Sequence, residues 1–158
     1  MTDVEFTFNG EPSSVEVTDD ELLLDTLRDR LGATSVRYSC GIGVCGTCTV
    51  VLDGQAVSSC LQLTQMVAGR RVQTAESVLG DERSGHRDVL DAFVRARAFQ
   101  CSYCIPPMAL TVAALLDADP SASAETIREQ LAGNLCRCGS YPQIVEAITA
   151  LVSPKEER

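Results

Sequence analysis

SCGIGVCGTCTV, residues 39–50, carries two patterns in the same stretch. Gly41, Gly43 and Gly46 fit G-x-G-x-x-G, which cradles a dinucleotide when a strand precedes it and a helix follows. Cys40, Cys45 and Cys48 cut through those glycines at metal-ligand spacing. The flanks decide between the two. Upstream, TDDELLLDTLRDRLG (18–32) reads as a helix. Thr18 and Glu21 fit a capping box, Leu23, Leu24, Leu27 and Leu31 share a face, and Gly32 supplies the stop. Downstream, CTVVLDGQAV reads as a strand with an Asp-Gly turn. Both flanks are reversed for a dinucleotide site, so the loop is read as metal-binding.

Outward from the loop, VEFTFNG (4–10) alternates with period two and ends in an Asn-Gly turn, and PSSVEVT is its hairpin mate. RRVQTA (70–75) is a last short strand. Two strands, a helix and more strands form an α+β pattern in the order of β-grasp domains. The strand pattern then stops. SVLGDERSGHRD is polar with two glycines and reads as a linker. Beyond it come four helical faces: Val89, Leu90, Phe93 and Ala96; Met108, Val112, Leu115 and Leu116; Ile127 and Leu131; Ile144, Val145, Ile148, Leu151 and Val152. Pro142 sits near the start of the last. The expected division is 1–77, a linker over 78–87, and a helical bundle over 88–158.

The chain has 158 residues and a net charge of -9, from 22 acids and 13 bases. That balance excludes nucleic acid as a partner, which needs a basic footprint. No apolar run reaches the roughly 18 residues of a membrane span. The start MTDVEFTFNG has neither basic n-region nor apolar h-region, so the expected compartment is the cytoplasm. Thiols stay reduced there. Eight cysteines in such a chain point to metal.

They fall into two sets of four. Cys40, Cys45, Cys48 and Cys60 are spaced C-x4-C-x2-C, then eleven residues, then C. The opening matches plant-type ferredoxin ligation of a [2Fe–2S] cluster. Glycines suit a loop that wraps a cluster closely and aims N–H groups at sulfur. Cys101, Cys104, Cys136 and Cys138 form the second set, with 31 residues between its two pairs. That gap allows an out-and-back helical excursion, with each pair at a helix end or interhelical loop, and the free N–H groups of helix termini favour an anion. Four thiolates also suit zinc, so zinc is the rival here.

Both sets together, in this order, resemble the small [2Fe–2S] subunit of the molybdenum hydroxylases, the family of xanthine dehydrogenase, aldehyde oxidoreductase and carbon monoxide dehydrogenase. The stretches that carry the resemblance are YSCGIGVCGTCTVVLDGQAVSSC, FQCSYC and AGNLCRCGSYPQIVEAI. It spans Val4 to Val152. It implies a plant-type ferredoxin-like domain followed by a four-helix bundle, each with one [2Fe–2S] cluster. The cluster on Cys101, Cys104, Cys136 and Cys138 is then expected nearest molybdopterin on a large subunit. The one on Cys40, Cys45, Cys48 and Cys60 is expected toward FAD on a medium subunit, in a dimer of heterotrimers. Gln100 and Cys138 fall where relatives approach the pterin. The chain departs from the family pattern at Ser102, commonly glycine; at Ile105, Pro106 and Pro107, commonly threonine then proline-glycine; and at Gly139-Ser140, commonly Thr-Gly.

The implied role follows from electron counting. Hydroxylation with water leaves two electrons on molybdenum, and a [2Fe–2S] cluster carries one at a time. The chain is read as a wire with no catalytic residue of its own. His86, the sole histidine, is expected at the surface. Tyr38, Tyr103 and Tyr141 are expected to shield the clusters from water. Arg137, between two ligands, fits a surface ion pair as well as an anionic cofactor.

Overall fold

The computed structural model describes residues 1–80 and 85–152. Part of the expected linker, 81–84, and the tail, 153–158, lie outside the described residues. β1 (Thr2–Phe8) and β2 (Glu11–Val17) pair antiparallel from Thr2↔Val17 to Phe8↔Glu11. Asn9 (φ 51°) and Gly10 (φ 92°) turn between them, supplying the two left-handed residues of a type I′ hairpin. β3 (Thr49–Leu52) and β4 (Gln55–Ser58) repeat the device at Asp53 (φ 49°) and Gly54 (φ 87°). β5 (Arg71–Gln73) lies between the hairpins, parallel to β1 and antiparallel to β3. The sheet order is β2-β1-β5-β3-β4.

The expected first helix forms, but shorter and differently wound. α1 begins as an α-helical turn over Leu23–Asp25 and continues in π form over Thr26–Arg30. Half of the capping box is made: the Glu21 carboxylate takes the Thr18 backbone N–H, while the Thr18 hydroxyl donates to Asp20 at 2.7 Å. The Glu21 carboxylate also accepts from Thr26 Oγ1 at 2.8 Å and from Arg30 Nε at 2.6 Å. Thr26 is fully buried, with Thr64 Oγ1 2.7 Å away. Those polar contacts hold the helix at its base, and Gly32 (φ 69°) ends it. Leu23, Leu24 and Leu27 face the core, and Leu31 packs at its margin.

The second half is helical: α2 (Ala75–Val78), α3 (Arg87–Arg95), α4 (Ile105–Ala118), α5 (Ala124–Gln130) and α6 (Tyr141–Val152). Val78, expected in the linker, is the last residue of α2, and it is buried with Leu79. α4 is apolar all round and sits centrally, against β3, β4, α2, α3 and α5. Ala92, Ala109, Ala113 and Ala147 are buried between helices. Their small side chains let the helices close, which is why a search for large apolar residues passes them over.

Two apolar cores result, and β3 lies between them. Val50 and Leu52 enter the first core, and Val51 enters the second beside α4. All four β3 residues are buried. A strand covered on both faces reads as a continuous apolar run, not as an alternating one. Removing apolar volume from the α4 side tests this seam. Val51→Ala is expected to cost about 2 kcal/mol from two buried carbons and the space they leave. The readout is a lower urea midpoint at unchanged slope.

Candidate metal centres

The first cysteine loop connects α1 to β3. Gly41, Gly43 and Gly46 all have positive φ, at 67°, 72° and 65°, so the tight path that the sequence suggested is the observed one. The loop turns two amides onto one sulfur: Ile42 N–H and Cys45 N–H reach Cys40 Sγ at 3.5 and 3.4 Å. Those donors, Ile42 first, lower the Cys40 pKa to about 6. Cys60 comes from the 3₁₀ turn Ser59–Leu61. Ser59 Oγ donates to Cys48 C=O at 2.8 Å, which sets Cys60 beside Cys48. Burial, then the Cys48 neighbour, raises the Cys60 thiol to about 11. The set is thus two pairs, Cys40 with Cys45 and Cys48 with Cys60.

The second set is also two pairs. Cys138 Sγ lies 3.4 Å from Cys101 Sγ, and Cys104 is in side-chain contact with Cys136. Cys104 is the residue before α4, and Cys136 and Cys138 lie just before α6. The Tyr103 N–H, then the Cys138 thiol, hold Cys101 below the ordinary thiol range. Burial, then the Cys136 contact, pushes Cys104 up to about 12. Cys136 is lowered: burial would raise it, but the backbone N–H groups of Ser140 and Cys138 and the Cys104 thiol prevail. Gln100 Nε2 donates to Cys138 C=O at 3.0 Å, so Gln100 and Cys138 are neighbours on an exposed rim.

The pairing bears on which metal fits. Among the described residues no three His, Cys, Asp or Glu side chains converge to hold a metal ion. A structural zinc site needs four donors around one centre. A [2Fe–2S] cluster spreads its four cysteines over two irons, and two pairs per set suit that. The N–H donors aimed at Cys40 and Cys101 suit an anionic cluster as well. Between the sets lies a cavity of about 490 Å3, whose lining includes Cys45, Cys101, Cys104 and Cys136.

The two sets also touch. Leu135 N–H donates to Cys45 C=O at 2.9 Å, which leaves one peptide link between a first-set and a second-set cysteine. Tyr103 OH donates to Tyr38 C=O at 2.6 Å, and the Arg37 guanidinium stands 5.2 Å over the Tyr103 ring. Tyr141 OH accepts from Cys136 N at 2.8 Å. Tyr38, Tyr103 and Tyr141 remain 57%, 40% and 41% exposed. In this chain they tie loops together and do not seal the cysteines from water. His86 is no free surface residue: its Nε2 meets Asp117 of α4 at 2.9 Å. Arg137 is exposed and lines the 490 Å3 cavity.

Comparison with known proteins agrees with this geometry. Residues 6–79 match the family of 2Fe-2S iron-sulfur cluster binding domains, and residues 74–149 match the [2Fe-2S] binding domain family. The chain is 42% identical to one of the chains of nicotinate dehydrogenase from Pseudomonas putida, covering 94% of this chain and 93% of that one. The chain belongs to the small iron–sulfur subunits of the molybdenum hydroxylases. It is 36% identical to the xanthine dehydrogenase iron-sulfur-binding subunit of Escherichia coli, over 92% of this chain and 91% of the relative. The crystal structure of quinoline 2-oxidoreductase from Pseudomonas putida 86 superposes with a TM-score of 0.86 at 35% identity, over 96% of this chain and 93% of that one. The chain is therefore part of an oxidoreductase. Among the described residues no helix is long and apolar enough to cross a membrane.

The departures from the family pattern now have a physical reading. Ser102 sits at φ 62° between Cys101 and Cys104, a conformation that an L side chain occupies at a cost of roughly 1–2 kcal/mol. Pro106 and Pro107 occupy the first turn of α4, where a missing N–H breaks no helical bond. Gly139 has φ 82°. Ser102→Gly is expected to stabilise the chain by about 0.5–1 kcal/mol, relief of strain less the entropy of glycine. A rise in thermal midpoint checks it.

Proposed function

We propose that this chain is the electron relay of a molybdenum hydroxylase. It carries single electrons from a molybdopterin centre on a large subunit to FAD on a medium subunit, within a cytoplasmic dimer of heterotrimers. Residues 1–77 form the β-grasp ferredoxin-like unit and 88–158 the helical unit, joined through 78–87. Cys40, Cys45, Cys48 and Cys60 hold a [2Fe–2S] cluster toward FAD. Cys101, Cys104, Cys136 and Cys138 hold a second toward molybdopterin. When bound, each cluster stores one electron, which suits passage between two-electron centres.

The chain's own residues do the rest. The loop glycines let N–H groups reach sulfur, favouring the reduced, more negative state. Gln100, bonded to Cys138 C=O, keeps an exposed amide beside a ligand, which suits a polar cofactor edge. Ile42, Val44 and Leu61 are exposed around the first set, and Phe99 is exposed beside the second. Apolar side chains left outside near both sets are what flanking partners would cover.

The observation that carries the reading is the pairing of eight sulfurs into two constellations, joined by the Leu135 to Cys45 hydrogen bond. The test is electron paramagnetic resonance of the reduced complex at low temperature. Two distinct iron–sulfur signals are expected. Cys136→Ser is expected to abolish or alter one and leave the other, and Cys48→Ser the reverse. Zinc without iron, or both signals unaltered in both variants, would overturn the assignment.

A further inference from the structure

One polar side chain sits where the two cysteine sets meet, and it belongs to neither. Asn134 is 4% exposed. Its Nδ2 donates to Gly46 C=O at 2.9 Å and lies 3.5 Å from Thr49 Oγ1. Its Oδ1 lies 3.2 Å from Thr111 Oγ1, which also lies 2.9 Å from Pro107 C=O in α4. The amide thus bridges the first cysteine loop, the start of β3 and the middle of α4. Gly46 makes the approach possible. A Cβ there would stand 2.3 Å from Gly133 C=O and 2.5 Å from Asn134 Nδ2, so the two loops touch backbone to backbone.

Two features separate this contact from ordinary saturation of a buried carbonyl. Gly46 C=O already accepts from Thr49 N–H at 3.3 Å and from Thr49 Oγ1 at 2.7 Å. The Asn134 amide is not needed to satisfy it. Leu135, which donates the inter-set bond to Cys45, has a side chain 47% exposed. That side chain cannot be what anchors the bond. The anchor is the preceding residue, Asn134, buried, bonded through Nδ2 to Gly46 C=O, with its Oδ1 against the Thr111 hydroxyl that it shares with Pro107 C=O.

We infer that Asn134, oriented by Thr111 and admitted by Gly46, is the positioning residue that fixes the electronic contact between the two cluster sites. The inference rests on the relay reading above. With both sites loaded, the transfer between them would move one electron, with no bond or proton changed. Its rate depends on the path between them. A hydrogen bond carries electronic coupling better than a van der Waals gap, and coupling falls steeply as the gap opens. Loosening Asn134 lets the segment 133–136 move away from Cys45–Gly46, so the transfer slows while each set keeps its own cysteines.

The experiment uses the intact complex with all subunits. A short pulse of photoreductant delivers less than one electron per complex. Freeze-quenched paramagnetic resonance then follows redistribution between the two signals, and a redox titration of the same sample gives both midpoint potentials. In Asn134→Leu both signals and both potentials are expected to match the wild type, with redistribution slowed at least several-fold. Thr111→Val, which removes only the orienting hydroxyl, is expected to slow it less, in the same direction, and decides the matter if Asn134→Leu does not assemble. Wild-type redistribution in a loaded variant overturns the inference. So does a shifted potential or lost signal at one cluster with no slowing, since Asn134 would then serve that cluster's own loop. A wild-type complex lacking two signals would sink the relay reading itself, a different result from either.

Discussion

One short strand, dry on both faces, governs the arrangement of the molecule. β3 sends Val50 and Leu52 into the core of the sheet half and Val51 into the helical core. Water is excluded from both sides, so the two halves cannot part without exposing apolar surface. At roughly 25 cal/mol per Å2 that resistance is substantial even for a few side chains. The first cysteine loop runs directly into this strand: Cys48 precedes Thr49. Whatever fixes β3 against α4 also fixes Cys45 and Gly46 against residues 133–136. The closeness of the two sulfur sets is a consequence of core packing, refined by hydrogen bonds.

The thiols within each set are unequal in environment. Cys40 lies on the outside of its loop with amides aimed at it, and it loses its proton readily at about 6. Cys60 and Cys104 lie inside, and burial holds their protons to about 11 and 12. Metal ligation must displace those buried protons. Each set thus combines a buried thiol, Cys60 or Cys104, with a more accessible one, Cys40 or Cys101.

Much of this was legible in the sequence, and the failures have physical causes. The first hairpin and the turn of the second announced themselves through Asn9-Gly10 and Asp53-Gly54, because few residues tolerate two left-handed positions in a row; β4 itself was not read as a strand. The four faces of the helical half followed from Val89, Met108, Ile127 and Ile144, all buried. The capping box at Thr18 is only half made, because the Thr18 hydroxyl turns to Asp20 while Glu21 takes the Thr18 amide together with Arg30 and Thr26. The burial of Val78 and Leu79 was not legible, because polar neighbours in sequence do not reveal that one apolar pair folds back onto α4. Asn134 was not legible at all. Nothing local distinguishes a buried asparagine pin from a loop residue, since its partners lie 85 and 88 positions away at Thr49 and Gly46.

The amides that serve the second set come from the loops and caps around its helices more than from the first turn of α4. Cys104 does stand at the start of α4, where free N–H groups and the helix dipole favour an anion. But Pro106 and Pro107 have no N–H to offer. Ile105 N–H turns to Ser102 C=O at 3.4 Å, and Met108 N–H to Cys104 C=O at 3.1 Å. The amides that reach second-set sulfurs come chiefly from tight backbone around Tyr103, Cys138 and Ser140. The sheet half uses the same device at Ile42 and Cys45. Two unrelated architectures have thus arrived at one solution. Left-handed residues at Gly41, Ser102 and Gly139 turn nearby amides toward sulfur, and Ser140, the residue before α6, adds one from a helix start.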